Sequence, residues 1–226
     1  CRFASKIPLN PIGCGFEGNK KKEETMLGLP DSTAVNKPLA KKAVFTKFSL
    51  TAAQRERFDA DISRMAIIGA INPDTIPGLQ EGSEVKSIYI LTVILRTKNY
   101  DRKNILLLAR LIPQHIIFVL LCGAEEQLAV CIGQHLILSD WTPAGGHHIQ
   151  LQGLTLDTAW QHIAMTIGSI TLRNGNSLYE QILEDEEQAA IRKRIESLDR
   201  KCRSEQQPRR KLELFEEIQK LKLQLK

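Results

Sequence analysis

The stretch "EVKSIYILTVILR", residues 84–96, predicts the strand around which the fold is built. β-branched residues and Tyr dominate it and neither Pro nor Gly interrupts it, which is typical of a long strand with a buried centre. Asp101 then offers a helix N-cap, and the apolar residues of "DRKNILLLARLI" recur at helical spacing. Pro113 should end this helix, because proline has no N–H to donate to the preceding turn.

Two further strands are predicted in "HIIFVLLCG", residues 115–123, and "EQLAVCIG", residues 126–133. The turn between them is short, so we expect a hairpin. "HLILSDW", residues 135–141, is a candidate third strand. A strand, a helix and a hairpin in this order predict an α+β fold, with helices packed on a small mixed β-sheet.

Two more helices are predicted outside this region. Thr51 and Gln54 have the spacing of a capping box, and the apolar residues after them predict an amphipathic helix over about Thr51–Ile68. The apolar residues of "LTLDTAWQHIAMTIGSI", residues 154–170, also recur every three or four positions. We expect this second helix to face the core.

The composition changes after "RNGNS", residues 173–177, which is a predicted linker. Residues 178–226 hold 12 basic and 11 acidic residues and no valine, which favours a charged helical tail. Pro208 should divide this tail, because proline suits the first turn of a helix. Each half carries an apolar seam too short to be stable alone, so we expect a helical hairpin or coiled coil, or helices that bind a partner. The seam residues are Ile191, Ile195, Leu198, Leu214, Ile218 and Leu221.

Bulk composition indicates a domain that buries a core. The chain has 226 residues and a net charge of +5, which permits contact with phosphates without requiring it. No apolar run reaches the roughly 18–20 residues of a membrane span, and no two cysteines form a Cys-X-X-Cys pair. We therefore expect a cytoplasmic protein, with the α+β domain in residues 26–172. Residues 1–25 lack the apolar segment of a secretory signal, and we expect them to be a disordered, non-native leader.

Three residues match the letters of the restriction-endonuclease-like pattern: Asp74, Glu84 and Lys86. In that pattern two carboxylates hold Mg²⁺ and the lysine activates the attacking water. However, Asp74 lies in a loop rich in Pro and Gly, and Glu84 precedes its strand. Both halves of the pattern also recur elsewhere in the chain, so a chance match is expected. A Mg²⁺-dependent nuclease is therefore the alternative hypothesis, and we expect no catalytic residue and no cofactor.

A metal site is not expected either. His147 and His148 are adjacent, so their side chains diverge on a strand or a helix, and His135 adds no ligand pair at zinc spacing. The chain also lacks a serine-nucleophile motif and a glycine-rich phosphate loop.

The tail carries a basic segment. Between Arg192 and Lys211 there are nine basic and three acidic residues. Arginine at this density suits phosphate, yet no aromatic residue is interleaved for base stacking, and an acidic block at residues 184–187 lies just upstream. We therefore favour a helical face that is solvated or paired within the tail, then a face that binds a protein partner, then one that binds nucleic acid. The candidate nucleic-acid residues are Arg192, Lys193, Arg194, Arg209, Arg210 and Lys211.

Four blocks carry a resemblance to a known family: "MLGLPDSTAVNKPLAKKAVFTKFSLTAAQRERFDADISRM", "EVKSIYIL", "LIPQ" and "QQPRRKLELFEEIQKLK". In this order, from Met26 onward, the chain resembles the bacterial domain-of-unknown-function family numbered 4391. The resemblance identifies no catalytic residue. Members of that family are often associated with helicase, methyltransferase and type III restriction genes, which implies an accessory role in DNA restriction-modification or phage defence.

The leading hypothesis is therefore a non-catalytic accessory or adaptor protein. We expect its tail to contact a protein partner, such as a helicase or restriction-modification subunit, or to associate with itself. Direct DNA binding by the basic tail is the other alternative.

Overall fold

The computed structural model describes residues 26–173 and 175–225. The predicted leader, residues 1–25, lies outside the described residues, as do Asn174 in the predicted linker and Lys226.

The described residues form helices and strands in mixed order. The helices are α1 Lys41–Phe48, α2 Ala52–Asp61, α3 Arg102–Leu111, α4 Leu156–Gly168, α5 Leu178–Ser204 and α6 Pro208–Gln224. The strands are β1 Ala34–Pro38, β2 Ile62–Ile71, β3 Ile88–Leu95, β4 His115–Cys122, β5 Glu125–Ile132, β6 His135–Leu138 and β7 Thr142–Pro143. Two short 3-10 turns, Met26–Gly28 and Asp31–Thr33, precede β1.

The strands form one mixed sheet in the order β1-β2-β3-β4-β5-β6, with β7 also paired to β5. Neighbouring strands are antiparallel except β3 and β4, which are parallel and are connected through α3. The predicted hairpin is confirmed, since β4 and β5 are joined by a tight turn at Gly123 and Ala124. β6 confirms the candidate third strand.

Helices cover both faces of the sheet, which explains the long apolar runs of its central strands. Along β4, Ile117 and Val119 belong to the cluster under α4, whereas Phe118 and Leu120 belong to the cluster under α1, α2 and α3. Successive strand residues point to opposite faces, so a strand covered on both sides must be apolar at every position.

The prediction of a helix over about Thr51–Ile68 is wrong in its second half. The capping box is present, with the Gln54 N–H donating to Thr51 Oγ1 at 3.3 Å, but α2 ends at Asp61 and β2 follows at once. The pairing of β2 with β3 shifts register between Ile62 and Arg64. This bulge brings Ile62 and Met65, three positions apart, into the same core cluster, so a strand reproduces the spacing of a helix.

The other predicted helices are confirmed. The Asp101 side chain caps α3 by accepting from the Lys103 N–H at 3.0 Å, and α4 spans the predicted second core helix. The tail divides as expected, because α5 ends at Ser204 and α6 begins at Pro208. The predicted fold class, an α+β fold followed by C-terminal helices, is confirmed. None of the described helices is both long enough and apolar enough to cross a lipid bilayer.

Candidate functional site

α5 begins on the body of the protein and continues as one arm of a helical hairpin with α6. Leu178 and Ile182, in its first turns, are 9% and 5% exposed and belong to the core cluster under α4. Further along, Leu198 and Ile218 are buried but belong to neither core cluster of the body. The hairpin therefore has a small core of its own.

Two contacts fix the antiparallel register of the hairpin. Gln188 Nε2 donates to the Gln224 carbonyl at 3.2 Å, and Arg194 pairs with Glu217 at 3.0 Å. Of the six predicted partner-binding residues, Leu198 and Ile218 are only 2% and 3% exposed. The other four are half-buried: Ile191, Ile195, Leu214 and Leu221. The apolar seams of α5 and α6 thus pack mainly against each other. Such a helical hairpin is one of the two arrangements that the sequence left open.

A second apolar stripe on α6 stays exposed. Leu212, Phe215 and Leu223 are 58%, 51% and 88% exposed. Their spacing of three and eight residues places them on one side of the helix, away from the seam. We call these three residues the outer stripe. A surface helix without a partner rarely presents an apolar stripe to water, so the outer stripe marks a candidate docking face.

The basic segment of the tail is partly self-paired. Its ion pairs are Arg194–Glu217, Arg203–Asp199 and Arg209–Glu213, at 3.0, 2.6 and 3.4 Å. Six other basic residues of the segment form no ion pair or side-chain hydrogen bond with any described residue: Arg192, Lys193, Arg200, Lys201, Arg210 and Lys211. Each exposed pair contributes little to stability, about 0–1 kcal/mol.

Among the described residues, the acidic block at residues 184–187 forms no ion pair with the basic segment, so the pairing of these two blocks that the sequence suggested is not observed. Instead Arg173, just before α5, contacts Glu184 at 3.0 Å and Asp185 at 3.6 Å. Glu186 contacts His135 Nδ1 at 2.8 Å. The block therefore anchors the start of α5 to the body of the protein.

The three residues of the nuclease hypothesis lie in the connection between β2 and β3, with Asp74 just after β2 and with Glu84 and Lys86 just before β3. Asp74 is exposed in the turn that follows β2. Lys86 Nζ donates to the Gly82 carbonyl at 2.8 Å and lies 3.6 Å from Glu81. No group of three or more His, Cys, Asp or Glu side chains within residues 26–173 and 175–225 is arranged to hold a metal ion. The nuclease hypothesis stays a prediction from the sequence.

The loop before β3 is held by a residue that the sequence did not single out. Asp157, in the first turn of α4, accepts four hydrogen bonds from residues 83–85. Its Oδ2 accepts from the Ser83 N–H at 2.6 Å and the Ser83 hydroxyl at 2.8 Å, and its Oδ1 accepts from the N–H groups of Glu84 at 3.2 Å and Val85 at 2.8 Å. These bonds lower the pKa of the Asp157 carboxyl to about 2, the largest effect coming from Val85. The carboxylate is therefore ionised at neutral pH.

Beside this loop lies an open cleft of about 410 Å³, between the first turns of α4 and α5 and the neighbouring ends of β4 and β5. We call it the Glu84 cleft. Its lining includes Glu84, His115, Asp157, Trp160 and Tyr179. Arg110 lines an adjoining pocket of about 170 Å³ that also borders His115.

Aromatic rings form the wall of the Glu84 cleft. The His115 and Trp160 rings meet edge to face, with their centroids 4.8 Å apart. Burial lowers the pKa of His115, and the nearby carboxylates of Asp157 and Glu84 oppose this shift only in part. His115 is therefore neutral at pH 7, when its ring adds no positive charge to the cleft. Tyr179 is 47% exposed, so much of its ring faces solvent.

Sequence reasoning identified Glu84 but missed His115, Asp157 and Trp160. Asp157 lies more than seventy positions along the chain from the loop that it holds. No local spacing signals such a contact. The one available signal was the position of Asp157 in the first turn of a predicted helix, where a carboxylate is commonly found for a different reason, the helix dipole.

Comparison with known proteins identifies the family. No curated protein and no solved structure is significantly similar to the chain. A family model described as a domain of unknown function, DUF4391, matches residues 27–225, which is nearly all of the described structure. The chain therefore belongs to the DUF4391 family.

Proposed function

We propose that this protein is a non-catalytic accessory protein that binds a protein partner through the outer stripe of its helical hairpin. The observation that supports this proposal most directly is that Leu212, Phe215 and Leu223 are exposed, whereas the residues of the seam are buried or half-buried. Two packed helices form a single layer, and domains are built from at least two layers. A helix of a partner laid on the outer stripe would complete the second layer.

The charge of the hairpin favours a protein over a nucleic acid as the main partner. Residues 178–226 carry nearly equal numbers of basic and acidic residues, and Glu216 lies within the span of the outer stripe. An amphipathic helix with mixed charges fits such a surface. The family resemblance suggests the source of this helix, a helicase or restriction-modification subunit of the same cell.

The experiment is affinity capture from cells of the native host, with a double variant, Leu212→Glu and Phe215→Glu. Both side chains are exposed, so the fold should tolerate the change, while two charges on the docking face should abolish partner binding. Leu183→Glu is the matched control, since Leu183 is 41% exposed on α5 outside the outer stripe. Capture of the same proteins by all three chains would reject the proposal.

Direct DNA binding is a second candidate, supported by the six basic residues that have no ion-pair partner in the described structure. Binding to phosphates releases counterions, so affinity should fall steeply with salt. Replacing Arg192, Lys193 and Arg210 by Gln should reduce the salt slope by roughly one unit for each phosphate that is no longer bound. An affinity for duplex DNA that does not change with salt would exclude this candidate.

A further inference from the structure

We infer that the Glu84 cleft is a binding site for an organic cation, a guanidinium or ammonium group, with the Glu84 carboxylate as its counter-ion. This site is separate from the outer stripe and does not depend on it. The two carboxylates that line the cleft have different roles.

The carboxylate oxygens of Asp157 already accept hydrogen bonds from the protein. A carboxylate has about four lone-pair positions, and all four of those on Asp157 accept hydrogen bonds from residues 83–85. Gly82 is part of this arrangement, because a Cβ at that position would collide with the Asp157 carboxylate. Asp157 therefore supplies a fixed negative charge but no free ligand atom.

Glu84 is available. Its backbone N–H is used by Asp157, but its carboxylate forms no ion pair or hydrogen bond with any described residue. The side chain is exposed and borders the cleft. A free carboxylate beside the aromatic rings of Trp160 and Tyr179 is a chemistry that suits an organic cation.

The electrostatics of the cleft also favour a cation. Two helix N-termini, those of α4 and α5, adjoin it and together supply roughly one positive charge. Three carboxylates oppose them: Asp157 and Glu180 in the first turns of these helices, and Glu84. None of the described residues that line the cleft is Lys or Arg.

The walls suit the organic part of such a ligand. The exposed ring of Tyr179 can lie against a cation, an interaction worth about 0.5–1 kcal/mol at an exposed site. Trp160 is only 6% exposed and supplies a rigid apolar surface for the attached carbon chain. Tyr179 is held beside Gly133, where a Cβ would lie 3.1 Å from the tyrosine ring.

The test titrates the full chain with propylguanidinium and with propylurea, its neutral counterpart of the same shape. The readout is the NMR signal of the Trp160 indole N–H, which a Trp141→Phe variant assigns because the chain has two tryptophans. Propylguanidinium should shift this signal in a saturable manner and propylurea should not. Glu84→Gln should weaken binding about tenfold or more, as expected for the loss of a charged hydrogen-bond acceptor.

Asp140→Asn is the control, because it removes one exposed negative charge outside the cleft lining without breaking an ion pair to a described residue. Tyr179→Leu should weaken binding by a factor of about two to five, since the aromatic ring is lost but an apolar side chain remains. Equal shifts with propylurea, no saturable shift, or equal binding by the Glu84→Gln variant would each overturn the inference. Glu84 makes no side-chain hydrogen bond or ion pair with described residues, so its variant should fold.

One further titration distinguishes the source of the cation. A blocked Gly-Gly-Arg-Gly-Gly peptide presents the same guanidinium on a polypeptide. Tighter binding of the peptide than of propylguanidinium would point to an arginine of a partner protein. Equal or weaker binding would point to a free small molecule.

Discussion

Asp157 connects the start of α4 to the loop before β3 through four hydrogen bonds, and it thereby positions Glu84. Residue roles that depend on near neighbours were predictable from the sequence, such as the Thr51 capping box and the Asp101 cap. Each needs a partner only two or three positions away. The role of Asp157 was not predictable, because its partners come from a distant loop that folding alone brings close.

Asp157 should make stability depend on acid pH. Its folded pKa, about 2, lies below the ordinary value of 3.8. A carboxyl with a depressed folded pKa stabilises the native state above its unfolded pKa, and this contribution is lost as pH falls through the folded pKa. We therefore expect the melting temperature to fall between about pH 4 and pH 2. Asp157→Asn should be less stable at neutral pH and should show a smaller fall over this range.

Asp140→Asn is the control for this prediction, because Asp140 is exposed and its side chain forms no hydrogen bond with described residues. The measurement is thermal unfolding by circular dichroism at a series of pH values. If both variants follow the wild-type profile, the four hydrogen bonds to Asp157 do not stabilise the loop.

At the scale of elements, the sequence predicted the helices and strands correctly where a proline marks the end of a segment. Pro113 and Pro208 separated elements correctly. The boundary between α2 and β2 was missed because no Gly or Pro marks it. There, a bulge in β2 also places Ile62 and Met65 on one face, as a helix would.

The hairpin should be stabilised by its seam and not by its outer stripe. Leu198 is 2% exposed, so Leu198→Ala should cost about 2–4 kcal/mol through lost burial and a residual cavity. Leu212 is 58% exposed, so Leu212→Ala should change stability by less than about 0.5 kcal/mol. Hydrogen exchange of the α6 amides measures both effects, even where the hairpin opens separately from the sheet. A larger loss of stability for Leu212→Ala than for Leu198→Ala would mean that the face of α6 that carries Leu212 is the buried one.

At the scale of the whole molecule, the mixed sheet and its helices were predictable, but the division of helices between its two faces was not. Runs such as "HIIFVLLC" predict a strand that is buried on both sides. They do not indicate which helix covers which side. Likewise, the tail was expected after residue 177, yet Leu178 and Ile182 pack into the core of the body.

Chain truncation tests where the body ends. A chain that ends at Gln188 retains Leu178 and Ile182, so its melting temperature should stay close to that of the full chain. A chain that ends at Asn176 loses both buried side chains, each worth about 1.5–3 kcal/mol, which should lower the melting temperature by on the order of 10 °C. A chain that ends at Ser204 lacks α6 but keeps all of α5. Its melting temperature therefore reports the loss of the hairpin without the loss of the buried Leu178 and Ile182 side chains. If truncation at Gln188 lowers the melting temperature as much as truncation at Asn176, the hairpin unfolds together with the body as one cooperative unit. A partner that binds the outer stripe would then also change the stability of the sheet.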